Sequence, residues 1–248
     1  MSSRSVILCI ILFTGLFSFQ KVFSQRVLGG FSVGMNLTQV EFDAFRGFHK
    51  VGLSLGPMVS IPFSPNRNWS VSMELLYTQK GSNHTGSPDS LSYKLKQDYA
   101  EVPIMIHFTD KKIVSAGVGF SYGQLINKKE IFNESSEGRD FYFSETQPGY
   151  VKLANPMSNF EIAALAEVQI RLWANLWIGA RVQRSITSNR SVLYSQSIPT
   201  NWDDPSNDNI STEKQYNYVI NFRLTWIFNQ EKAEKNAKKS QAPIDYSN

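Results

Sequence analysis

Between Tyr216 and Phe228 every second residue is large and apolar: Tyr216, Tyr218, Ile220, Phe222, Leu224, Trp226 and Phe228. Asn217, Asn221, Arg223 and Thr225 stand between them. Side chains of a strand point alternately to its two faces, so a period of two predicts a strand with one apolar and one polar face. Aromatic rings sit at both ends of the apolar face, which suits a wall standing in lipid with rings at its two interfaces.

The start of the chain predicts export. Arg4 gives a positive end, Val6–Phe19 is an apolar run, and Val22-Phe-Ser24 offers slim residues before a cleavage point at Gln25, so residues 1–24 read as a signal peptide. The run is short for a helical anchor across ~30 Å of hydrocarbon. The single cysteine, Cys9, lies inside it and leaves with it, so the exported chain must hold together without disulfides. No later segment is apolar enough for a helical span, and the mean hydropathy is −0.27. Aromatic-rich export without helical spans points to a membrane sheet, whose signal is alternation. The net charge of +4 comes partly from a Lys-rich tail and implies no nucleic-acid partner.

The dyad recurs at about 26–38, 50–63, 69–80, 97–109, 113–126, 159–172 and 176–187, with 216–228 the eighth strand. One face carries runs such as Val51, Leu53, Leu55 and Val114, Ala116, Val118, Phe120. The other carries Gly52, Ser54, Gly56 and Ser115, Gly117, Gly119, Ser121. Connections alternate between short (64–68, 109–112, 173–175) and long (39–49, 81–96, 127–158, 188–215). An all-β, eight-stranded antiparallel up-and-down transmembrane barrel over 25–228 is predicted, with short periplasmic turns and long extracellular loops. Residues 229–248 lose the pattern and read as a polar periplasmic tail.

Alternation alone does not say which face is outside, because a soluble lipid-binding barrel would bury the apolar one. Two features place it outward. The polar face is mostly Gly and Ser, which suits a crowded lumen. Aromatics gather at the strand ends: Trp69, Trp173, Trp177, Trp226, Phe63, Phe108 and Phe228 at the short-turn rim, and Tyr77, Tyr122, Tyr216, Tyr218 and Phe160 at the other. Strand eight must pair with strand one to remove the sheet edges, and its Trp226–Phe228 end is similar to the C-terminal signal of outer-membrane barrels.

Several blocks resemble a known family. Gly30-Phe-Ser-Val-Gly-Met-Asn-Leu-Thr-Gln39, Glu74-Leu-Leu-Tyr-Thr-Gln-Lys-Gly81, Tyr99-Ala-Glu-Val-Pro103 and Gly117-Val-Gly-Phe-Ser-Tyr-Gly123 are similar to the Bacteroidetes outer-membrane β-barrel proteins, loosely called PorT-like or porin-family. The resemblance covers about 29–228 and implies an eight-stranded outer-membrane barrel, usually without a characterised activity; no motif places the chain on the branch that serves type IX secretion.

The polar face gathers Glu74, Glu101, Glu161 and Glu167 with Lys80, Arg171, Arg181 and Arg223. They form either the lining of a pore or an ion-pair network filling a lumen too narrow for anything else, and charges shut in so small a space must be paired. The network is the expected reading. A lipid-A-modifying enzyme would need a His–Ser–acid arrangement. Of the histidines, His107 falls on the polar face near the short turns, while His49 and His84 stand at the loop rim near Ser82, Ser87 and Asp89. Polar loops carry such residues routinely, so no enzyme and no cofactor is expected. Asp203, Asp204, Asn207 and Asp208 fit no defined calcium loop. Asp89-Ser90-Leu91 resembles a short O-glycosylation motif, and the Asn-x-Ser/Thr sequons at Asn36, Asn68 and Asn133 carry no pattern. The expected function is that of a non-catalytic surface or envelope protein, or an accessory of a secretion or transport complex. Its partners would be the outer-membrane bilayer and envelope proteins met through loops or tail, with the barrel itself monomeric. The alternatives are a narrow passive channel and, behind it, the lipid-A enzyme.

Overall fold

The computed structural model describes residues 27–41, 48–84, 93–132, 141–144, 149–153, 156–195, 210–228 and 230. Its strands are β1 (Leu28–Val40), β2 (Lys50–Pro62), β3 (Trp69–Glu74), β4 (Leu76–His84), β5 (Tyr93–Asp110), β6 (Val114–Phe132), β7 (Phe141–Ser144), β8 (Gly149–Leu153), β9 (Phe160–Arg171), β10 (Leu176–Ser185), β11 (Arg190–Ser195), β12 (Ile210–Gln215) and β13 (Asn217–Ile227). Residues 1–24, expected to be a signal peptide, the motif at 89–91, the acidic stretch 203–208 and the residues beyond Gln230 lie outside the described residues.

The barrel is a ring of eight antiparallel staves: β1, β2, β3 with β4, β5, β6, β9, β10 and β13. It closes where β13 pairs with β1, from Gly30 opposite Ile227 to Val40 opposite Asn217. No sheet edge remains around the ring, which is what lets a sheet stand in hydrocarbon. The third stave, predicted as one strand over 69–80, is interrupted at Leu75. The cause lies in β2. Pro57 has no N–H to offer, and it only accepts a bond from the Leu75 N–H at 3.0 Å.

Two faces alternate along every stave. Outward stand the apolar residues, with Val118 at 65% and Phe120 at 62% exposure. Inward, large polar side chains are flanked across the ladder by glycine or serine. Glu101 and Glu161 both face Gly123, and His107 and Glu167 both face Gly117. Ser54 and Arg223 both face Gly34. A Cβ on Gly117 would lie 2.4 Å from the His107 ring, so this glycine is the room that the ring occupies. Eight strands leave just enough interior for such side chains.

At one end the connections are tight. Lys111 and Lys112 have φ of 46° and 60°, and the Ile113 N–H bonds the Asp110 carbonyl at 2.9 Å, a hairpin turn with both central residues left-handed. At the other end the structure differs from the prediction of plain loops. β11 and β12 prolong the β10–β13 hairpin and join β8 and β7 in a four-stranded sheet. β5 and β6 also run on into the predicted loops, with a bulge at Asp98/Tyr99. Those segments are rich in Asn, Ser and charge, and pairing with neighbours overrides their weak propensity.

Candidate functional site

The lumen-facing side chains form layers. Nearer the short turns, Glu74 at the end of β3 reaches across to β10 and β13. Its carboxylate accepts from Arg181 Nη2 at 2.7 Å and Arg223 Nη2 at 2.9 Å. Glu167 on β9 accepts from Arg181 Nε and, at 3.2 Å, from Arg223 Nη1. Two carboxylates and two guanidiniums therefore alternate in a closed square with zero net charge. Their side chains are 4% exposed or less. Planar, forked donors suit such bridging.

Toward the long-loop end, Lys80 on β4 lies 2.7 Å from Glu161 on β9 and 3.4 Å from Glu101 on β5. Its ammonium also sits 5.0 Å from the centre of the Tyr99 ring. One lysine thus serves two carboxylates. Amides supply the remaining donors: Gln183 Nε2 bonds Glu101 Oε1 at 2.5 Å, and Asn217 Nδ2 bonds Glu161 Oε2 at 2.5 Å. Between β1, β2 and β13, Asn221 Nδ2 donates to Asn36 Oδ1 at 2.7 Å and Ser54 Oγ at 2.9 Å. Beyond these layers Arg190 pairs with Glu130 at 2.6 Å and bonds Gln215 at 2.7 Å at the long-loop end.

The predicted lumen residues do not all meet. Glu74, Glu167, Arg181 and Arg223 form one group, and Lys80, Glu101 and Glu161 the other. Among the described residues Arg171 joins neither group, which corrects its assignment to that network. It is the last residue of β9, beside the turn; it donates to the Ala174 and Trp173 carbonyls, and its guanidinium lies 6.0 Å from the Trp177 ring. Trp177 itself is a second correction. The sequence pattern puts it among the interface aromatics, but it is 4% exposed and points inward, one residue out of phase with lipid-facing Ile178. Its Nε1 donates to Gln230 Oε1 at 3.0 Å, so the chain leaving β13 turns back under the barrel.

Trp69, Trp173, Trp226, Phe228, Tyr77, Tyr122, Tyr216 and Tyr218 stand on the outward face. Trp69 lies 5.1 Å from Phe108 between ring centres, and Tyr122 stacks on Phe160 at 6.4 Å. Arg184, also outward, spans to Glu41 at 3.3 Å with its guanidinium 5.6 Å from the Tyr218 ring. Inside, His107 meets Ser72 Oγ at 2.9 Å beside a cavity of about 100 Å³, lined also by Glu74, Gln169, Trp177 and Gln230. Gln183, Asn217 and Arg190 are partners that the sequence pattern does not single out. Gln183 and Asn217 carry the right parity, but the carboxylates they serve come from distant staves. Among the described residues no group of three or more His, Cys, Asp or Glu is placed to hold a metal ion.

The family model described as "Outer membrane protein beta-barrel domain" matches residues 20–191. No curated protein matches the chain. Among solved structures it is similar to Ail, the attachment invasion locus protein of Yersinia pestis, in complex with the heparin analogue sucrose octasulfate: 13% identity, 81% of this chain and 99% of that chain covered, TM-score 0.38. OprG of Pseudomonas aeruginosa gives 13% identity over 82% of this chain and 94% of that chain, TM-score 0.35. Neisserial surface protein A gives 7% over 82% and 99%, TM-score 0.37.

Proposed function

The chain belongs to the outer membrane protein β-barrel domain family, whose place is the outer membrane, and from that premise we propose a closed, non-catalytic barrel that acts through its long connections. Residues 1–24 serve as the signal peptide that export removes. The short turns face the periplasm with the tail beyond Gln230, and the stranded extensions of β5, β6, β11 and β12 face outward. There the protein serves as a surface or envelope protein, or as an accessory of a secretion or transport complex, and meets envelope proteins as a monomeric barrel. The PorT-like blocks at 74–81 and 99–103 are in keeping with this.

One observation carries the proposal: Glu74 of β3 is bonded to Arg181 of β10 and Arg223 of β13 across the lumen. A bridge between opposite walls blocks the path an ion would take. Moving those side chains aside would leave buried charges unpaired, at a cost of several kcal/mol. The test is conductance of the purified full-length protein in a planar bilayer. No steady current is expected. A stable ohmic channel would overturn the closed-lumen reading in favour of a narrow passive pore.

A further inference from the structure

At the long-loop rim lies a cavity of about 500 Å³, lined by the exposed residues Val51, Lys94, Lys96, Lys129 and Ile131 and backed by the buried Ser82 and Leu95. Lys50 and His49 line it too. Lys96 and Lys129 are direct partners across the β5–β6 ladder. Like charges placed directly opposite each other destabilise a sheet pair, so an anion bound between the two lysines would relieve their repulsion. The bulge at Asp98/Tyr99 creates it. One extra residue reverses the facing of every later β6 side chain, turning Lys129 and Ile131 outward and Glu130 inward, where it meets Arg190 at 2.6 Å. Lys50 is held in place by a 2.7 Å bond from its ammonium to the Leu95 carbonyl. The acidic group at hand, Asp98, lies 3.4 Å from Lys96 and also accepts from Asn127 at 3.0 Å.

We propose that this cavity binds a phosphate group of the phosphorylated glycolipid of the outer leaflet. The level is right for a headgroup. Along β4 the cationic rim at Ser82 and Asn83 lies a few residues beyond Tyr77 of the outer aromatic belt. Val51, at 62% exposure, and Ile131, at 46%, continue the lipid-facing surface up to the lysines, so an acyl chain and its phosphate find apolar and cationic contacts in the right order. The inference rests on the proposed orientation, with the long connections outward.

The test is native mass spectrometry of the full-length barrel in detergent, titrated with bis-phosphorylated lipid A and with its dephosphorylated form. Retention of the phosphorylated form alone is expected. Lys96→Gln with Lys129→Gln should weaken it about thirtyfold, the scale for two lysines facing an anionic lipid surface. Lys111→Asn with Lys214→Gln should leave it unchanged. Equal retention of both lipids overturns the site, and so does an unaffected double variant. Displacement by excess inorganic phosphate alone would mean a free-anion site and overturns the lipid assignment. A heat-modifiable gel shift on each sample separates the two readings. A folded wild-type barrel without lipid preference sinks the site only, whereas no folded barrel sinks the proposed function and the site with it.

Discussion

The two faces of the barrel wall invert the order of a water-soluble protein. On the outer face Val118, Phe120, Ile104 and Phe222 stand about half exposed or more; on the inner face Lys80 and Glu101 have 0% and 2% of their surface accessible. Both faces come from the same strands, one residue apart. The outer face gains nothing from tight protein packing and needs only to be apolar and well fitted to lipid. The inner face gains nothing from being apolar; it needs each charge matched by an opposite charge from another stave. Stability should therefore respond to different insults on the two sides: to polarity outside, and to loss of a partner inside.

The largest effect should follow from orphaning charges in the lumen. Glu74→Leu leaves Arg181 and Arg223 buried with one carboxylate between them and should cost about 3–5 kcal/mol, read by urea unfolding in lipid bilayers. Removing the whole square with Glu74→Leu, Glu167→Leu, Arg181→Met and Arg223→Met should recover most of that loss, because no charge is then stranded. A quadruple variant worse than Glu74→Leu would break the comparison. Next comes the outer face, where Val118→Arg puts a cation near mid-membrane and should cost about 2–4 kcal/mol. The same assay checks it, and a neutral result would mean that this face does not meet hydrocarbon. The smallest effect belongs to the rim. Trp69→Leu removes a ring paired with Phe108 and should cost about 0.5–1.5 kcal/mol, with the barrel otherwise unchanged on a heat-modifiable gel.

How much of this could be seen in the sequence follows from the range of each signal. The two-residue period is local, so all eight staves and the inward set Glu74, Lys80, Glu101, Glu161, Glu167, Arg181 and Arg223 were legible on one face. Pairing was not, because Glu74 and Arg223 meet only after the ring closes and the register of every ladder is set. Trp177 shows a weighting error: its residue type suggested an interface belt, whereas its phase relative to Ile178 placed it inside. Arg171 had the right phase but sits where a strand ends, and there turn carbonyls compete for a guanidinium. The stranded extensions β7, β8, β11 and β12 look like loops in sequence because their alternation is weak and their pairing partners are distant. The bulge at Asp98/Tyr99 leaves no mark in composition at all.

The inverted wall can be tested residue by residue. Single spin labels placed at 114, 115, 118, 120, 121 and 122 of β6 in the cysteine-free mature barrel in liposomes report access to oxygen, which concentrates in hydrocarbon, and to a water-soluble nickel complex. Even positions are expected to be rich in oxygen contact, with Ser115 and Ser121 shielded from both reagents by the packed lumen. Oxygen access at the odd positions, or nickel access at Val118 and Phe120, would contradict the account.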